Sequence, residues 1–403
     1  MFYVMAIAQH LFPLLTFPYL TRVLEPSLYG VITYMTAVSS YVRIFINFGF
    51  DLSSTKEIAE NKSNKDHVER ILSSTLQAKL ILALISLLFF NILIQFVPII
   101  SNNILISYLY FLGVVLEISL PDFLFRGLEK MGAITLRYIV SKSVSTILTF
   151  VLIRSKNDAV WVPLLNIAGT LVASFLIWFQ IKNNIGLRFI VSSWVNSFKR
   201  LKESFIYFIS TFATTAFGVT NTFLLGVFDL SAEQISYWGV SYNLINSALS
   251  LYAPIINSLY PHMVTKKDIK LMKILLYLLM PAIILTTIIV YIFADKIIII
   301  LCGIKYVAAV PILRALLPVL IFSFPAQLIG FPLLGTIGRV REITKSTVIS
   351  AIWHINMILI LVGIGKFTIL NMAIVRSVTE IVLFGIRAFF LWTHKRQKGI
   401  FYE

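Results

Sequence analysis

The strongest constraint on the fold is the alternation of long apolar runs with short charged gaps along all 403 residues. The chain is 58% hydrophobic and only 13% charged, which is more apolar surface than one globular core can cover. A membrane-spanning helix needs about 20 mostly apolar residues, and twelve runs meet that length. They predict an all-α, polytopic membrane protein with twelve transmembrane helices. The predicted crossings are 2–21, 31–50, 76–98, 104–124, 134–153, 159–181, 205–228, 235–256, 274–294, 307–331, 344–364 and 367–392.

The positive charges give these crossings a direction. Of 34 Lys and Arg residues, 23 lie in or close to alternate gaps and in the C-terminal tail, 6 lie in the intervening gaps and 5 lie well inside the runs. Cytoplasmic loops carry the excess of Lys and Arg, so both termini are predicted to be cytoplasmic.

A net charge of +16 suggests nucleic acid in a soluble protein. Here the cations lie at helix ends, where they meet anionic lipid, so we expect a membrane-lipid partner and no nucleic acid.

The sequence offers little for catalysis. The single Cys302 excludes an intrachain disulfide, and the five His residues lack the spacing of metal ligands. The gaps between the runs are too short for a soluble catalytic domain. We therefore expect no catalytic residues, no metal site and no cofactor, and a protein that is not an enzyme.

The first run begins at Phe2 without a basic segment before it, which predicts a retained crossing rather than a signal peptide.

Two internal matches indicate a duplication. The segment VLEPS (23–27) after the first crossing matches VFDLS (227–231) after the seventh, at an offset of about 204 residues. A second match, at about 208 residues, relates the segment after the fourth crossing to the one after the tenth. Because six crossings are an even number, both copies enter the membrane in the same direction, related by a pseudo-two-fold axis along the membrane normal. We predict an N-terminal six-helix lobe (1–181), a cytoplasmic linker (182–204) and a C-terminal six-helix lobe (205–403).

The predicted linker has an amphipathic pattern. Trp194, Phe198 and Leu201 recur at helical spacing, which predicts a helix lying on the inner membrane surface. Its cations are expected to point toward the lipid headgroups. They are Lys199, Arg200 and Lys202.

Charges inside the predicted crossings are the first candidates for function. A charge at the centre of the bilayer costs about 2.5–3.5 kcal/mol on insertion scales, so its presence needs a reason. Arg387 is near a helix end and is expected to reach the headgroups. Arg376 and Glu380 are one turn apart and either neutralise each other or serve a ligand. Glu117 is within reach of Arg126 or Lys130. The seven intramembrane charges are Arg43, Glu117, Lys142, Arg314, Arg376, Glu380 and Arg387.

Three of these cations have no acid one turn away on the same helix. Arg43 is four residues from Asn47, and Lys142 shares a face with hydroxyl side chains, so each extends a polar stripe. We predict that Arg43, Lys142 and Arg314 face one central aqueous cavity. The alternative is that each pairs with an acid on another helix.

Other crossings carry polar stripes of the same kind. Asn166 and Thr170 are one turn apart in the sixth crossing, and Asn243 and Asn246 share a face of the eighth. Such residues either form hydrogen bonds between helices or line a cavity for a ligand rich in hydroxyl groups.

Motifs in the first predicted lobe give a more specific indication. They are PYLTRVLEPSLYG (18–30), INFGFDLSSTKEIA (46–59), PDFLFRGLEKMGAIT (121–135) and VPLLN (162–166). In these segments the chain resembles Wzx-type O-antigen flippases, of the polysaccharide-transport branch of the multidrug/oligosaccharidyl-lipid/polysaccharide exporter superfamily, which has a MATE-like fold. The chain departs from the family at Glu25, where glycine is usual, and in lacking a short polar extension before its first crossing. The second departure suggests an alternative start or a shortened chain.

The resemblance implies a substrate and a location. It implies flipping of an undecaprenyl-pyrophosphate-linked oligosaccharide from the cytoplasmic to the periplasmic leaflet of a bacterial inner membrane, by alternating access of a monomer that works beside other polysaccharide-assembly proteins. The pyrophosphate would be held by cations, the sugar by polar side chains, and transport would be coupled to an ion gradient through a carboxylate. The pyrophosphate candidates are Arg43, Lys142, Arg314 and Arg376; the glycan candidates are Asn47, Asn166, Thr170, Asn243 and Asn246; the coupling candidates are Glu117, Asp51 and Glu380.

Two rival functions follow from the same pattern. A MATE-like, cation-coupled exporter of small amphiphiles would favour a cavity dominated by carboxylates, whereas five cations and two acids lie well inside the runs. A membrane glycosyltransferase or polymerase would normally have a large periplasmic loop with acidic catalytic residues. The flippase is therefore the preferred hypothesis.

Overall fold

The predicted runs are helices in the computed structural model, which describes residues 2–190, 193–266 and 269–397. No strand occurs in these ranges, so the predicted all-α class is confirmed. The first nine helices are α1 (Phe2–Val23), α2 (Pro26–Asn47), α3 (Phe50–Glu60), α4 (Lys65–Phe96), α5 (Pro98–Ser101), α6 (Ile104–Leu116), α7 (Asp122–Gly127), α8 (Met131–Leu152) and α9 (Trp161–Gln180). The others are α10 (Trp194–Val227), α11 (Ala232–Leu249), α12 (Tyr252–Lys266), α13 (Ile269–Ile292), α14 (Ala294–Cys302), α15 (Val310–Leu316), α16 (Pro318–Leu328), α17 (Val340–Gly363) and α18 (Ile369–Gln397).

Shorter turns join or distort these helices. The 3₁₀ turns are Glu117–Ser119, Lys156–Val160 and Ile304–Ala309, and the π-helical segments are Ile181–Ile185 and Ile329–Gly335.

Many helices are long and apolar enough to cross a bilayer. Nine such segments occur within the described residues. Large side chains such as Leu84, Phe175 and Tyr277 are exposed on them, and only lipid would cover so much apolar surface. The chain is therefore a multi-pass membrane protein, while the count of twelve crossings stays a prediction. The nine segments are Pro26–Glu60, Lys65–Phe96, Ile104–Gly127, Met131–Leu152, Lys156–Ile185, Lys270–Ile292, Ile304–Gly335, Val340–Gly363 and Ile369–Thr393.

The helices form two compact units, Met1–Ser236 and Tyr237–Glu403. The first unit thus includes α10, which the sequence assigns to the second lobe. Gly49 shows how α10 is held there: its φ of +75° turns the chain between α2 and α3, and a Cβ on it would lie 2.6 Å from the backbone nitrogen of Phe208. The predicted lobe boundaries stay a prediction, and residues 398–403 of the second lobe lie outside the described ranges.

The predicted surface helix is the beginning of α10 and continues directly into the seventh apolar run. Lys199 and Lys202 are exposed, and their contact with the lipid headgroups stays a prediction. The expectation for Arg200 is wrong: its guanidinium is paired with Glu57 of α3, with 3.0 Å from Nη2 to Oε1. His67 of α4 also contacts Glu57, at 3.2 Å. A carboxylate on a neighbouring helix is a better partner for a nearly buried guanidinium than distant headgroups. Arg200 therefore ties α10 to α3 within the first unit.

Corresponding turns of the two units share a local conformation. The Lys130 N–H donates to the Phe125 carbonyl at 2.8 Å, and the Arg339 N–H donates to the Leu334 carbonyl at the same distance. The residue before each donor has a positive φ, +58° at Glu129 and +80° at Gly338. The two turns lie in the segments of the second internal sequence match. A duplication of the unit predicts the same turn in both copies.

The tenth predicted crossing is broken. The π-helical segment Ile329–Gly335 contains Gly330 with a non-helical ψ of −119° and Pro332, which has no N–H to donate. Arg387 of α18 lies against this break: its Nη1 donates to the Ala326 carbonyl at 2.7 Å. Its Nε donates to Ser346 at 3.2 Å. The expectation that Arg387 reaches the headgroups is therefore wrong, because closer oxygen acceptors on α16 and α17 take up its donors.

We expect Arg387→Met to weaken this part of the second unit. Losing a hydrogen bond from a charged donor costs about 1.5–3 kcal/mol, so thermal unfolding of the purified protein should occur at a clearly lower temperature. Arg341→Met, at an exposed position of α17, is the matched control and should change stability by no more than about 0.5 kcal/mol. Equal unfolding temperatures for the two variants would show that Arg387 does not stabilise the break.

Candidate anion-binding site

Two adjoining pockets form one polar cavity inside the first unit, with volumes of about 190 Å³ and 250 Å³. Both are lined by Thr36, Tyr110, Lys142 and Asn166, so they share a wall. The lining comes from α1, α2, α6, α8 and α9, and residues of the polar stripes predicted on α2, α8 and α9 are part of it. The polar residues of the smaller pocket are Thr36, Ser39, Arg43, Tyr110, Glu117, Lys142, Asn166 and Thr170.

Arg43 and Glu117 form a two-pronged ion pair at this cavity. Nε of Arg43 donates to Oε2 of Glu117 at 2.6 Å, and Nη2 donates to Oε1 at 2.7 Å. Arg43 lies near the end of α2 and Glu117 lies in the 3₁₀ turn that follows α6. The expected partners of Glu117, Arg126 or Lys130, are therefore wrong. For Arg43, the alternative of an acid on another helix is the arrangement observed.

Lys142 is the second cation of the cavity. Its Nζ lies 3.4 Å from Oδ1 of Asn166, and it interacts electrostatically with both Glu117 and Arg43. The Thr170 hydroxyl donates to the Asn166 carbonyl at 2.9 Å, which keeps this stripe of α9 together. Two cations face one carboxylate, so the cavity carries a net positive charge that favours an anion.

Ser39 adds a donor that the sequence analysis did not single out. Ser39 lines the smaller pocket and lies one turn before Arg43 on α2. It is only 5% exposed, and its Oγ has no hydrogen-bond partner among the described residues. Buried hydroxyl groups normally have a partner. The i, i+4 spacing to Arg43 is the signal that could have identified it.

A second charged cluster lies toward the end of α2. Nζ of Lys79 donates to Oδ1 of Asn47 at 2.8 Å, and Lys79 is only 2% exposed. It interacts electrostatically with Asp51 and Asp122, and Asp122 is paired with Arg137. Asn47 is thus a partner of Lys79. Lys79 is not among the seven intramembrane charges named from the sequence, although it lies inside the predicted crossing 76–98, and that position was the available signal.

The remaining predicted cations belong to the second unit. Nε of Arg314 donates to the Tyr291 carbonyl at 3.1 Å, and the guanidinium lies 5.2 Å from the centre of the Tyr291 ring. Nη1 of Arg376 lies 2.7 Å from Oε2 of Glu380 on the same face of α18. The mutual neutralisation of Arg376 and Glu380 is therefore observed. A cavity shared by Arg314 with Arg43 and Lys142 stays a prediction.

The remaining candidates for substrate binding and ion coupling are Asn243, Asn246 and Asp51. Asn243 and Asn246 lie on α11, half-buried and exposed respectively, and their contact with a glycan stays a prediction. Asp51 lies in the first turn of α3. Among the described residues, no group of three or more His, Cys, Asp or Glu side chains could hold a metal ion.

Comparison with known proteins relates this architecture to transporters. Residues 1–267 match the family described as polysaccharide biosynthesis protein. A protein of Escherichia coli strain K12 named O-antigen transporter is 28% identical over 254 residues, covering 63% of this chain and 61% of that protein. A protein of the same name from Shigella dysenteriae is 29% identical over 258 residues, covering 64% of each chain. The match thus spans less than two thirds of the length of these relatives.

Solved structures share the fold over nearly the whole chain. An inward-facing multidrug resistance MATE family transporter of the MOP superfamily aligns with a TM-score of 0.76 at 13% identity, covering 97% of this chain and 95% of that one. The lipid II flippase MurJ in an inward closed conformation aligns with a TM-score of 0.69 at 16% identity, covering 96% and 86%. These similarities confirm the predicted MATE-like fold. With the family match extending over more than half of its length, the chain belongs to the polysaccharide biosynthesis protein family.

Proposed function

We propose that this protein is a flippase for undecaprenyl-pyrophosphate-linked oligosaccharide repeat units. It moves them from the cytoplasmic to the periplasmic leaflet of a bacterial inner membrane by alternating access and catalyses no covalent step. Two relatives named O-antigen transporter and a lipid II flippase of the same fold support a lipid-linked substrate. The two six-helix lobes and the cytoplasmic termini predicted from the sequence are part of this proposal.

The observation that carries the proposal is the positively charged cavity of the first unit. Arg43 and Lys142 line it together, and a pyrophosphate oxygen is attracted to such cations far more strongly in a cavity of low dielectric than in water. Asn166 and Thr170 offer hydrogen-bond partners to sugar hydroxyls at the same wall, while the polyprenyl tail stays in lipid.

Further residues are proposed to contact the substrate or to couple its transport. Arg314 and Arg376 are proposed as further contacts of the pyrophosphate, and Asn243 and Asn246 as contacts of the glycan. Asp51, Glu117 and Glu380 are proposed as carboxylates that couple transport to an ion gradient.

A cation exporter is the closest rival function. Such a site would present more negative than positive charge to its cargo, whereas the cavity of the first unit has two cations to one carboxylate. The charge balance thus favours an anionic headgroup.

A leaflet assay with reconstituted protein tests the proposal. Proteoliposomes containing the full chain and fluorescent undecaprenyl-pyrophosphate-linked N-acetylglucosamine should move the probe between leaflets at least about tenfold faster than protein-free liposomes. A membrane-impermeant quencher added outside reports the accessible fraction over time. A matched probe with a neutral alcohol in place of the pyrophosphate should not be moved. Equal rates for the charged and neutral probes would refute recognition of the pyrophosphate.

A further inference from the structure

The Arg43–Glu117 pair has the geometry of a ligand contact. Both oxygens of the carboxylate lie on one edge of the guanidinium, at 2.6 and 2.7 Å. This is the two-pronged arrangement that arginine also forms with phosphate groups. Glu117 therefore occupies the position that two oxygens of a phosphate would take.

This pair is open to the cavity, whereas another intramembrane pair is closed. The side chains of Arg43 and Glu117 are 43% and 34% exposed, while those of Arg376 and Glu380 are only 13% and 7% exposed. Both pairs have short contacts, so the difference lies in access. A dissolved anion can reach the guanidinium of Arg43 without the helices first separating.

The cavity also has more donors than its single carboxylate uses. Lys142 has three N–H donors, and its hydrogen bond among the described residues is a long one of 3.4 Å to Asn166. The Ser39 hydroxyl in the same pocket has no partner in the described part of the chain. Both oxygens of Glu117 accept from Arg43, and in the described part of the chain neither accepts from Lys142 or Ser39; a diphosphate has oxygens for all three.

Glu117 lies between two helices rather than inside one. It lies in the 3₁₀ turn Glu117–Ser119 between α6 and α7, just before Pro121. Element ends of this kind are where conformational changes are commonly absorbed. A small rotation there would withdraw the carboxylate from Arg43 while α2 stays in place.

We propose that Glu117 is an internal substitute for the substrate anion: it holds Arg43 while the cavity is empty and is displaced when a diphosphate binds to Arg43, Lys142 and Ser39. The idea rests on the proposed function and specifies how its site is regulated. Competition with Glu117 lowers the affinity for the anion, so that the headgroup can be released again after crossing.

Removing the negative charge of Glu117 would remove the competitor. The titratable groups that line the cavity beside it are Arg43 from α2, Tyr110 from α6 and Lys142 from α8, with buried Lys79 of α4 also interacting electrostatically with Glu117. Glu117 is the one carboxyl group among the residues that line the two pockets. An anion should therefore bind more tightly once this negative charge is removed, since Arg43 is then left to the anion.

Anion binding to the purified full-length protein tests the inference. The probe is methanedisulfonate, which resembles a diphosphate and keeps its charge of −2 between pH 5 and 8. Calorimetry should give a Kd about tenfold lower for Glu117→Gln than for the unmodified protein at pH 8. Glu342→Gln, which removes the α17 carboxylate paired with Arg339, is the matched control and should leave the Kd unchanged.

Other outcomes would overturn the inference. Equal or weaker binding by Glu117→Gln would show that the carboxylate does not compete. If that variant does not fold, Glu117→Asp, which is one methylene shorter, should still bind more tightly than the unmodified protein. If no protein binds the probe while the leaflet assay shows pyrophosphate-dependent flipping, the anion binds elsewhere; the inference then fails and the proposed function stands. If flipping is also absent, both fail.

Discussion

Replacing Arg43 and Glu117 together by glutamine is expected to give a folded, membrane-inserted protein that flips the pyrophosphate-linked probe much more slowly. The double substitution removes both charges, so neither is left unpaired in the bilayer. The lost charge-assisted contact to the substrate should lower the flipping rate at least about tenfold, because such bonds contribute about 1.5–3 kcal/mol and 1.4 kcal/mol is a factor of ten. The leaflet assay measures the rate, and gel filtration in detergent measures the amount of folded protein.

The single substitution Arg43→Gln separates folding from transport. Breaking a fully buried pair costs about 3–5 kcal/mol. Because the cavity exposes 43% and 34% of these two side chains, we expect a cost at or below the lower end of that range. The single variant should therefore be less stable than the double variant and equally slow in flipping. A double variant that flips at the original rate would show that Arg43 does not hold the headgroup.

Gly30→Ala is expected to prevent the first unit from folding. A Cβ at Gly30 of α2 would lie 1.6 Å from the carbonyl oxygen of Ala232 at the start of α11. Overpacking of a core commonly costs about 1–3 kcal/mol, and here the clash is with backbone, which cannot rotate away. We expect a loss above this range and little folded protein in the membrane, measured by gel filtration of a fluorescent fusion.

Gly385→Ala is the matched control for that clash. Gly385 lies in the interior of α18, and a Cβ there would meet no atom within 4 Å. Alanine in a helix interior is favoured over glycine by about 0.5–1 kcal/mol, so this variant should be as stable as the unmodified protein or more so. Equal yields of folded Gly30→Ala and Gly385→Ala would contradict the close approach of α2 and α11.

Much of the fold was predictable from the sequence because the bilayer imposes simple rules. The apolar runs are helices within the described residues, and the polar stripes of Lys142 and of Asn166 with Thr170 meet at one cavity. Local periodicity is enough for such predictions, since residues one turn apart share a helix face. The shared turn at Lys130 and Arg339 also agrees with the internal sequence match.

The partners of the charges were not predictable in the same way. Glu117 lies 74 residues from Arg43, and Glu57 lies 143 residues from Arg200, so only the packing of different helices brings them together. Nearby charges such as Arg126 seemed better candidates for Glu117 because sequence analysis detects only local proximity. The same limit explains Arg387, whose acceptors on α16 and α17 exist because α16 leads into a break.

Cysteine accessibility in the membrane tests most directly whether the charged cavity of the first unit contains water and receives the substrate. The one native cysteine, Cys302, is buried and is replaced by serine. Thr170→Cys places a thiol in the cavity wall; Leu171→Cys places one on the adjacent, 51% exposed apolar position. We expect a charged thiol reagent to label the first and not the second, a lipid-soluble maleimide to label the second, and the pyrophosphate-linked lipid to protect the first. Labelling of Thr170→Cys by the lipid-soluble reagent alone, or no protection by the substrate, would contradict this account.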